Sequence, residues 1–277
     1  MESSKKPYFI VVLALLAGLI GGPAEALELM APATQLGEKK VHAEVYYKHI
    51  ARQDLRLSIG SGGTVAVNGS TITTASSSEA EIEGSGDAVM SRITFQPFDG
   101  GLRYYVVGGM SNYSIKVPSG TFSNTFATDN PGIVVGGGVR YTLVPYTMVS
   151  PALSLDLSAL HSRYNLTKFN SGDRRVSGDT GYLLTTLELQ GALTLSKKFM
   201  FNLGDQRSSF DPYLGIKVQR LRTGLDSLST GEHHSGTFTS YSPFFGFKFK
   251  PFPYEGLVVE GSVLNELSAS LGLTLGF

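Results

Sequence analysis

The sequence contains no cysteine, carries no net charge, and has a single long apolar run, close to its start. The lack of cysteine excludes a disulfide framework, a thiolate metal site, a cysteine nucleophile and a lipid anchor on cysteine. Because 23 basic residues balance 23 acidic ones, no excess positive charge is available to attract a nucleic acid. No later stretch approaches the roughly 20 apolar residues that a membrane-spanning helix requires.

The apolar run covers residues 9–22 and follows Lys5 and Lys6. Ala24 and Ala26 come next, in the A-x-A pattern of a signal-peptidase site. Since the run is short for a spanning helix, the pattern favours a cleaved secretory signal over an uncleaved anchor. We therefore expect a signal peptide over residues 1–26, an N-terminal periplasmic segment over 27–40 and a single domain over 41–277.

The rest of the chain is rich in glycine and aromatic residues, and the whole sequence has 33 Gly, 13 Tyr and 16 Phe. Apolar and polar residues alternate in ten segments, with the period of two that a β-strand requires. The predicted strands cover residues 41–50, 88–96, 102–113, 132–143, 149–162, 182–195, 213–222, 237–249, 257–264 and 267–277. No repeat of about 20 to 50 residues is present, which argues against solenoids and propellers.

The connections between these strands alternate in length and composition. Those after the first, third, fifth and seventh strands are long and rich in Gly, Ser, Thr and Asp; those after the second, fourth and eighth are short and contain Pro. Barrels of outer membranes combine long external loops with short periplasmic turns. The link after the sixth strand and the tight last turn are the exceptions to this alternation.

One face of each predicted strand is apolar, and a soluble β-sandwich gives the same pattern. Three features favour a membrane barrel instead. Small residues such as Gly136, Gly138 and Gly246 on the polar faces suit a narrow interior. In hydrocarbon, only a sheet that closes into a barrel provides a hydrogen-bond partner for every backbone N–H and C=O group. Aromatic residues also gather toward strand ends, as interfacial girdles require; these are Tyr46, Tyr47, Phe95, Phe98, Tyr104, Tyr105, Tyr141, Tyr146, Tyr213, Phe252 and Tyr254.

The chain ends in LSASLGLTLGF, a strand that alternates without interruption up to a terminal phenylalanine. Together with the signal peptide, this strand resembles those of bacterial outer-membrane β-barrel proteins, in which a final strand ending in an aromatic residue is recognised by the barrel-assembly machinery. The residues that match this assembly signal are Leu271, Leu273, Leu275 and Phe277. By size the chain is similar to OmpA-like and opacity-type barrels, which have eight strands, and to ten-stranded relatives. The resemblance implies an all-β, transmembrane, antiparallel up-and-down barrel of about ten strands in the cell outer membrane, with eight strands as the alternative.

Alternation assigns nine charged side chains to the lumen of such a barrel. They are Glu44, Arg92, Arg103, Arg140, Asp156, Glu188, Lys217, Lys248 and Glu260. Because an isolated charge in a narrow interior costs several kcal/mol, we expect these groups to pair and to plug the lumen. A narrow, water-filled pore for small solutes is the alternative, since general porins need about 16 strands.

Enzymes on small outer-membrane barrels include omptin-type proteases and lipid A-modifying enzymes, so histidines near a rim are candidate catalytic residues. His161 and Ser162 are adjacent on one predicted strand, where they point to opposite faces and cannot act as base and nucleophile. His233 and His234 follow Glu232 in a loop, which is a weak metal motif. We expect no enzymatic activity, no cofactor and no metal site.

Arginines gather in or beside the predicted external connections. Arginine binds phosphate through two parallel hydrogen bonds, so the candidates for binding lipopolysaccharide are Arg163, Arg174, Arg175, Arg220 and Arg222. Scattered solvated charges are the alternative. Long external loops favour a structural or adhesin-like, surface-interaction role, with outer-membrane lipid, lipopolysaccharide and the barrel-assembly machinery as partners and an extracellular ligand at the loops as a further candidate.

Overall fold

The computed structural model describes residues 41–58, 64–67, 70–73, 79–98, 101–119, 122–171, 174–204, 206–228, 233–252 and 255–276. The predicted signal peptide, the N-terminal segment and Phe277 lie outside these residues. Within them, no helix is long and apolar enough to cross a membrane. The strands are β1 (Val41–Ser58), β2 (Thr64–Val67), β3 (Ser70–Thr73), β4 (Glu79–Phe95), β5 (Leu102–Ser119), β6 (Phe122–Thr128), β7 (Gly132–Val144), β8 (Ala152–Ser171), β9 (Arg174–Ser196), β10 (Phe199–Leu203), β11 (Gln206–Ser227), β12 (His233–Lys250), β13 (Glu255–Ser262) and β14 (Glu266–Gly276).

Ten of these strands pair with their neighbours around a closed ring. The order is β1, β4, β5, β7, β8, β9, β11, β12, β13 and β14, and every pairing is antiparallel. The ring closes where β14 pairs with β1, from His42 opposite Gly276 to Gln53 opposite Glu266. Each strand of the ring therefore has a backbone partner on both sides, as predicted for an up-and-down barrel.

Four shorter strands lie outside this ten-strand order. β6 pairs with both β5 and β8 beyond the start of β7, β10 pairs with the start of β11, and β2 and β3 form a separate hairpin. Val41 and Gly276 lie at the end of the barrel that also carries the short connections 96–101, 145–151 and 251–254. Following the rule for membrane barrels, we refer to this end as periplasmic and to the opposite end as external.

The strands extend further toward the external end than the sequence pattern predicts. The predicted connection over residues 163–179 is mostly the paired ends of β8 and β9, and β1 continues past residue 50 to Ser58. The reason is a change of face: on the external half, apolar side chains such as Leu55, Leu166 and Leu184 point inward and are buried. Apolar residues therefore occupy outward positions in the periplasmic half of a strand and inward positions in its external half. A prediction that keeps the apolar face outward throughout assigns the external segments to loops.

Candidate functional site in the barrel lumen

All nine charged side chains that the sequence assigns to the lumen are buried in the structure. Their strands present them inward, on the face opposite to the exposed aliphatic residues of the same strands. They belong to two groups, one near the periplasmic end and one near the middle of the barrel. The charges of the two groups are balanced in different ways.

The periplasmic cluster contains two arginine–carboxylate pairs. Arg92 Nε donates to Glu44 Oε2 at 2.7 Å, and Lys248 Nζ lies 3.7 Å from the other oxygen of that carboxylate. Arg140 Nε donates to Asp156 Oδ2 at 2.7 Å. Pairing of this kind offsets much of the cost of desolvating each ion, so the cluster is compatible with an interior of low polarity.

Tyrosines join these carboxylates to glycines of the wall. Tyr105 Oη donates to Asp156 Oδ1 at 2.6 Å, and Tyr213 Oη donates to Glu260 Oε2 at 2.9 Å. A Cβ added to Gly138 would lie 2.3 Å from Tyr105 Oη, and one added to Gly246 would lie 2.6 Å from Tyr213 Oη. The glycines therefore leave room for the phenol rings.

The central cluster is built around a carboxylate that sequence analysis did not assign to the lumen. Glu266 accepts hydrogen bonds from Lys48 Nζ at 2.5 Å and from Lys217 Nζ at 2.8 Å. Gln219 Nε2 lies 3.1 Å from both Glu266 Oε2 and Glu188 Oε1. Since β1 and β11 are separated by three strands of the ring, these contacts cross the lumen.

Two residues of the central cluster were missed for different reasons. Lys48 follows Glu44 at an even spacing on β1, so alternation places the two side chains on the same, inward face. Glu266 is the first residue of β14 and directly follows the turn 263–265, whereas the predicted strands end at 264 and begin again at 267, which leaves it in the last turn. Pairing with Gln53 of β1 places it inside the barrel.

Aromatic and aliphatic side chains fill the lumen on the external side of this cluster. The rings of Tyr113 and Tyr164 lie with centroids 5.6 Å apart, and those of Phe126 and Tyr182 lie 5.5 Å apart. These side chains belong to one buried apolar group with the inward leucines and isoleucines of neighbouring strands. The external half of the barrel thus has an apolar core, as a soluble protein does.

The outer surface of the periplasmic half is apolar instead. Val106 is 55% exposed, Leu157 is 49% exposed and Phe245 is 58% exposed, although charged side chains are buried on the other face of the same wall. Such a surface is suited to contact with lipid hydrocarbon. Because the sheet closes into a ring, it exposes no unpaired strand edge to the lipid. The protein is a transmembrane β-barrel.

A comparison with solved structures finds barrels similar to this one at low sequence identity. The outer membrane protease OmpT from Escherichia coli is 10% identical, with 90% of this chain and 99% of that chain covered and a TM-score of 0.49. The transport unit of the autotransporter AIDA-I from Escherichia coli is 11% identical, with 92% and 95% covered and a TM-score of 0.45. The translocator domain of the autotransporter NalP from Neisseria meningitidis is 10% identical, with 98% and 95% covered and a TM-score of 0.37. No protein-family model and no curated protein matches the sequence.

The aromatic girdle predicted from the sequence is partly wrong. Tyr46, Tyr105 and Tyr213 are buried in the lumen, because they occupy inward positions of their strands. The rings that do pair around the outer periplasmic surface include Phe95 with Tyr104, whose centroids lie 5.6 Å apart. The others are Phe201 with Phe249 and Phe210 with Phe247, and Tyr254 lies outside the described residues.

The candidate lipopolysaccharide ligands lie on the external part of the wall. Arg163, Arg220 and Arg222 are exposed on its outer surface. Arg174 and Arg175 begin β9, and their side chains lie outside the part that the structure describes. The assembly-signal residues Leu271, Leu273 and Leu275 are partly exposed on β14.

The histidines considered as catalytic candidates are not brought together. His161 is exposed on the outer surface, whereas Ser162 is buried on the opposite face of β8. His233 pairs with Asp226 across β11 and β12, and Glu232 lies outside the described residues. No group of three or more potential metal ligands occurs among the residues that the structure describes.

A polar cluster that sequence analysis missed lies on the outer face of β1 and β4. The Asp87 carboxylate accepts a hydrogen bond from Tyr47 Oη and contacts His49 Nδ1. Beyond it, Arg52 Nε donates to Asp54 Oδ1 at 3.0 Å, and this bond, together with the nearby carboxylates, raises the pKa of Arg52. The cluster therefore marks the level at which the apolar surface ends and exposed ion pairs begin.

Proposed function

We propose that this protein is a non-conducting, non-enzymatic barrel of the bacterial outer membrane, with a structural or adhesin-like role at the cell surface. The observation that carries the proposal is the central cluster, because its hydrogen bonds connect β1, β9, β11 and β14 across the lumen. The apolar core beyond it provides a second layer of packing against solute passage. Packed interiors leave few voids larger than a water molecule.

Planar-bilayer recording tests this proposal against the pore alternative. We expect bilayers containing the purified, folded protein to show no stepwise conductance, because ions would have to displace paired charges and then cross an apolar core. A general porin recorded in the same lipid provides the positive control. Steady, ion-selective openings would instead favour the small-solute pore.

The external half of the barrel supports a role in surface interaction. Polar side chains such as Asn165 point outward there, while the apolar side chains of the same strands form the core. This half is therefore a rigid, water-compatible support for the external connections, and rigid scaffolds of this kind commonly position binding loops. An extracellular ligand bound at those connections fits this architecture.

Lipopolysaccharide is the lipid partner that we propose. Arg220 and Arg222 are two residues apart on the outer face of β11, and Arg163 lies on the same face two strands away. Arg220 is opposite Leu189, which is 48% exposed, so these guanidinium groups lie next to the apolar surface. That level suits contact with lipid phosphates.

Replacing Arg220 and Arg222 together with serine is expected to reduce the lipopolysaccharide that co-purifies with the barrel several-fold, because the replaced groups no longer pair with phosphate. The amount is measured by phosphate and sugar assay of detergent extracts at matched protein concentration. The matched control is R207S, which removes an exposed arginine at the periplasmic end of the same strand. Equal amounts in all three proteins would contradict the assignment.

A further inference from the structure

One cation of the lumen, Arg103, forms no ion pair with a carboxylate among the described residues. Arg103 points inward from the start of β5 and is 2% exposed. Its Nε donates to the amide oxygen of Gln96 at 3.2 Å, and its Nη2 has no hydrogen-bond partner among the described residues. Burying a guanidinium without a counter-charge costs free energy, so an anion bound beside Arg103 would stabilise the barrel.

The neighbouring carboxylates are already engaged by other cations. Arg140, which lies directly opposite Arg103 on β7, pairs with Asp156. Arg92 pairs with Glu44, which Lys248 also approaches. Among the described residues, these carboxylates thus form their ion pairs with cations other than Arg103.

Hydroxyl groups without partners lie on the adjoining wall. Ser154 and Thr194 are directly opposite each other on β8 and β9, and Ser196 is two residues beyond Thr194 toward the periplasmic end. The side-chain oxygens of all three are buried and lack a hydrogen-bond partner within the described ranges. Buried hydroxyls are normally hydrogen-bonded, so these three oxygens are able to bind a polar group.

The register brings the arginine and the hydroxyls to the same end of the lumen. Ser154 lies opposite Thr142 of β7, and Thr142 is two residues from Arg140, the partner position of Arg103. Inward-facing donors therefore continue across four adjacent strands, from β5 to β9, near the periplasmic mouth. Oxyanions are recognised by this combination of a guanidinium with several O–H donors.

We propose that the periplasmic end of the lumen is a binding site for a small oxyanion, with Arg103 as the charged ligand and Ser154, Thr194 and Ser196 as hydroxyl donors. The anion enters from the periplasm and stops below the central cluster. The site is thus open toward the periplasm and closed at the central cluster. It does not depend on the role proposed for the external half.

Isothermal titration calorimetry with inorganic phosphate tests the site on the full chain, folded in detergent and free of lipopolysaccharide. At constant ionic strength, we expect one phosphate to bind per barrel, and we expect R103Q to bind it at least tenfold more weakly. R207Q is the matched control, because it removes an exposed arginine of β11 that belongs to neither proposed binding site, and its affinity should equal that of the unmodified protein.

The double variant S154A/T194V tests the same site without changing its charge. We expect its phosphate affinity to fall at least threefold, and it serves as the decisive variant if R103Q does not fold, as judged by its heat-dependent gel migration. Absence of phosphate binding to the unmodified protein would overturn the proposal. Equal affinities in the unmodified protein and S154A/T194V would overturn it as well.

Discussion

Replacement of Glu266 by alanine is expected to lower the free energy of unfolding of the barrel by about 3–5 kcal/mol. The change removes a carboxylate that accepts hydrogen bonds from both Lys48 and Lys217, and it leaves two buried ammonium groups close together. Uncompensated buried charge is among the few causes of so large an effect from one substitution. Urea titration of the protein in lipid vesicles, followed by its heat-dependent gel migration, measures the loss.

Two further variants distinguish charge pairing from a general loss of a carboxylate. E255A removes an exposed glutamate at the start of β13 and should change the unfolding free energy by less than about 0.5 kcal/mol. Replacing Glu266, Lys48 and Lys217 together with leucine and methionine should recover most of the stability, because buried ion networks are often replaceable by apolar packing. An E266A protein as stable as E255A would show that the central cluster does not hold the barrel together.

Placing a charge on the outer surface is the second large effect. Leu157 to Arg is expected to cost about 2–4 kcal/mol, the range for arginine near the middle of a membrane barrel's lipid-facing surface. Leu157 lies between Leu155 and Ala159 on the outer face of β8, and it is 49% exposed. The same vesicle titration reports the change in unfolding free energy.

The matched control lies on the same face of the same strand. Asn165 is exposed eight residues further along β8, beyond His161 and Arg163, so Asn165 to Arg should be nearly neutral. A large effect at position 157 and none at 165 places the edge of the hydrocarbon between them. Equal effects at the two positions would mean that the apolar surface contacts something other than lipid.

Alternation predicted the inward face of the membrane-spanning half but not its contacts. All nine lumen charges follow from alternate positions on their strands, since side chains of a strand point to opposite faces in turn. The pattern could not show that Glu266 pairs with Lys48, because 218 residues separate them. Their contact depends on the closing pair of strands, β14 and β1.

The external half shows where the same reasoning fails. Alternation alone does not show whether the apolar face of a strand points inward or outward. That face points outward where the barrel is surrounded by lipid and inward where it is surrounded by water. Leu55 and Leu166 are buried in the lumen, whereas Val45 and Leu157 on the same two strands face outward. The bulge between Ile50 and Arg52 on β1 adds a local shift of register that no composition rule predicts.

The sequence by itself determined that the chain forms paired strands with one apolar face, because alternation and turn residues are local properties. Only the tertiary structure decided how far the strands extend, which charges meet in the lumen and that Arg103 forms no ion pair among the described residues. Those features depend on register between strands that are distant in the chain, and register is fixed when the ring closes.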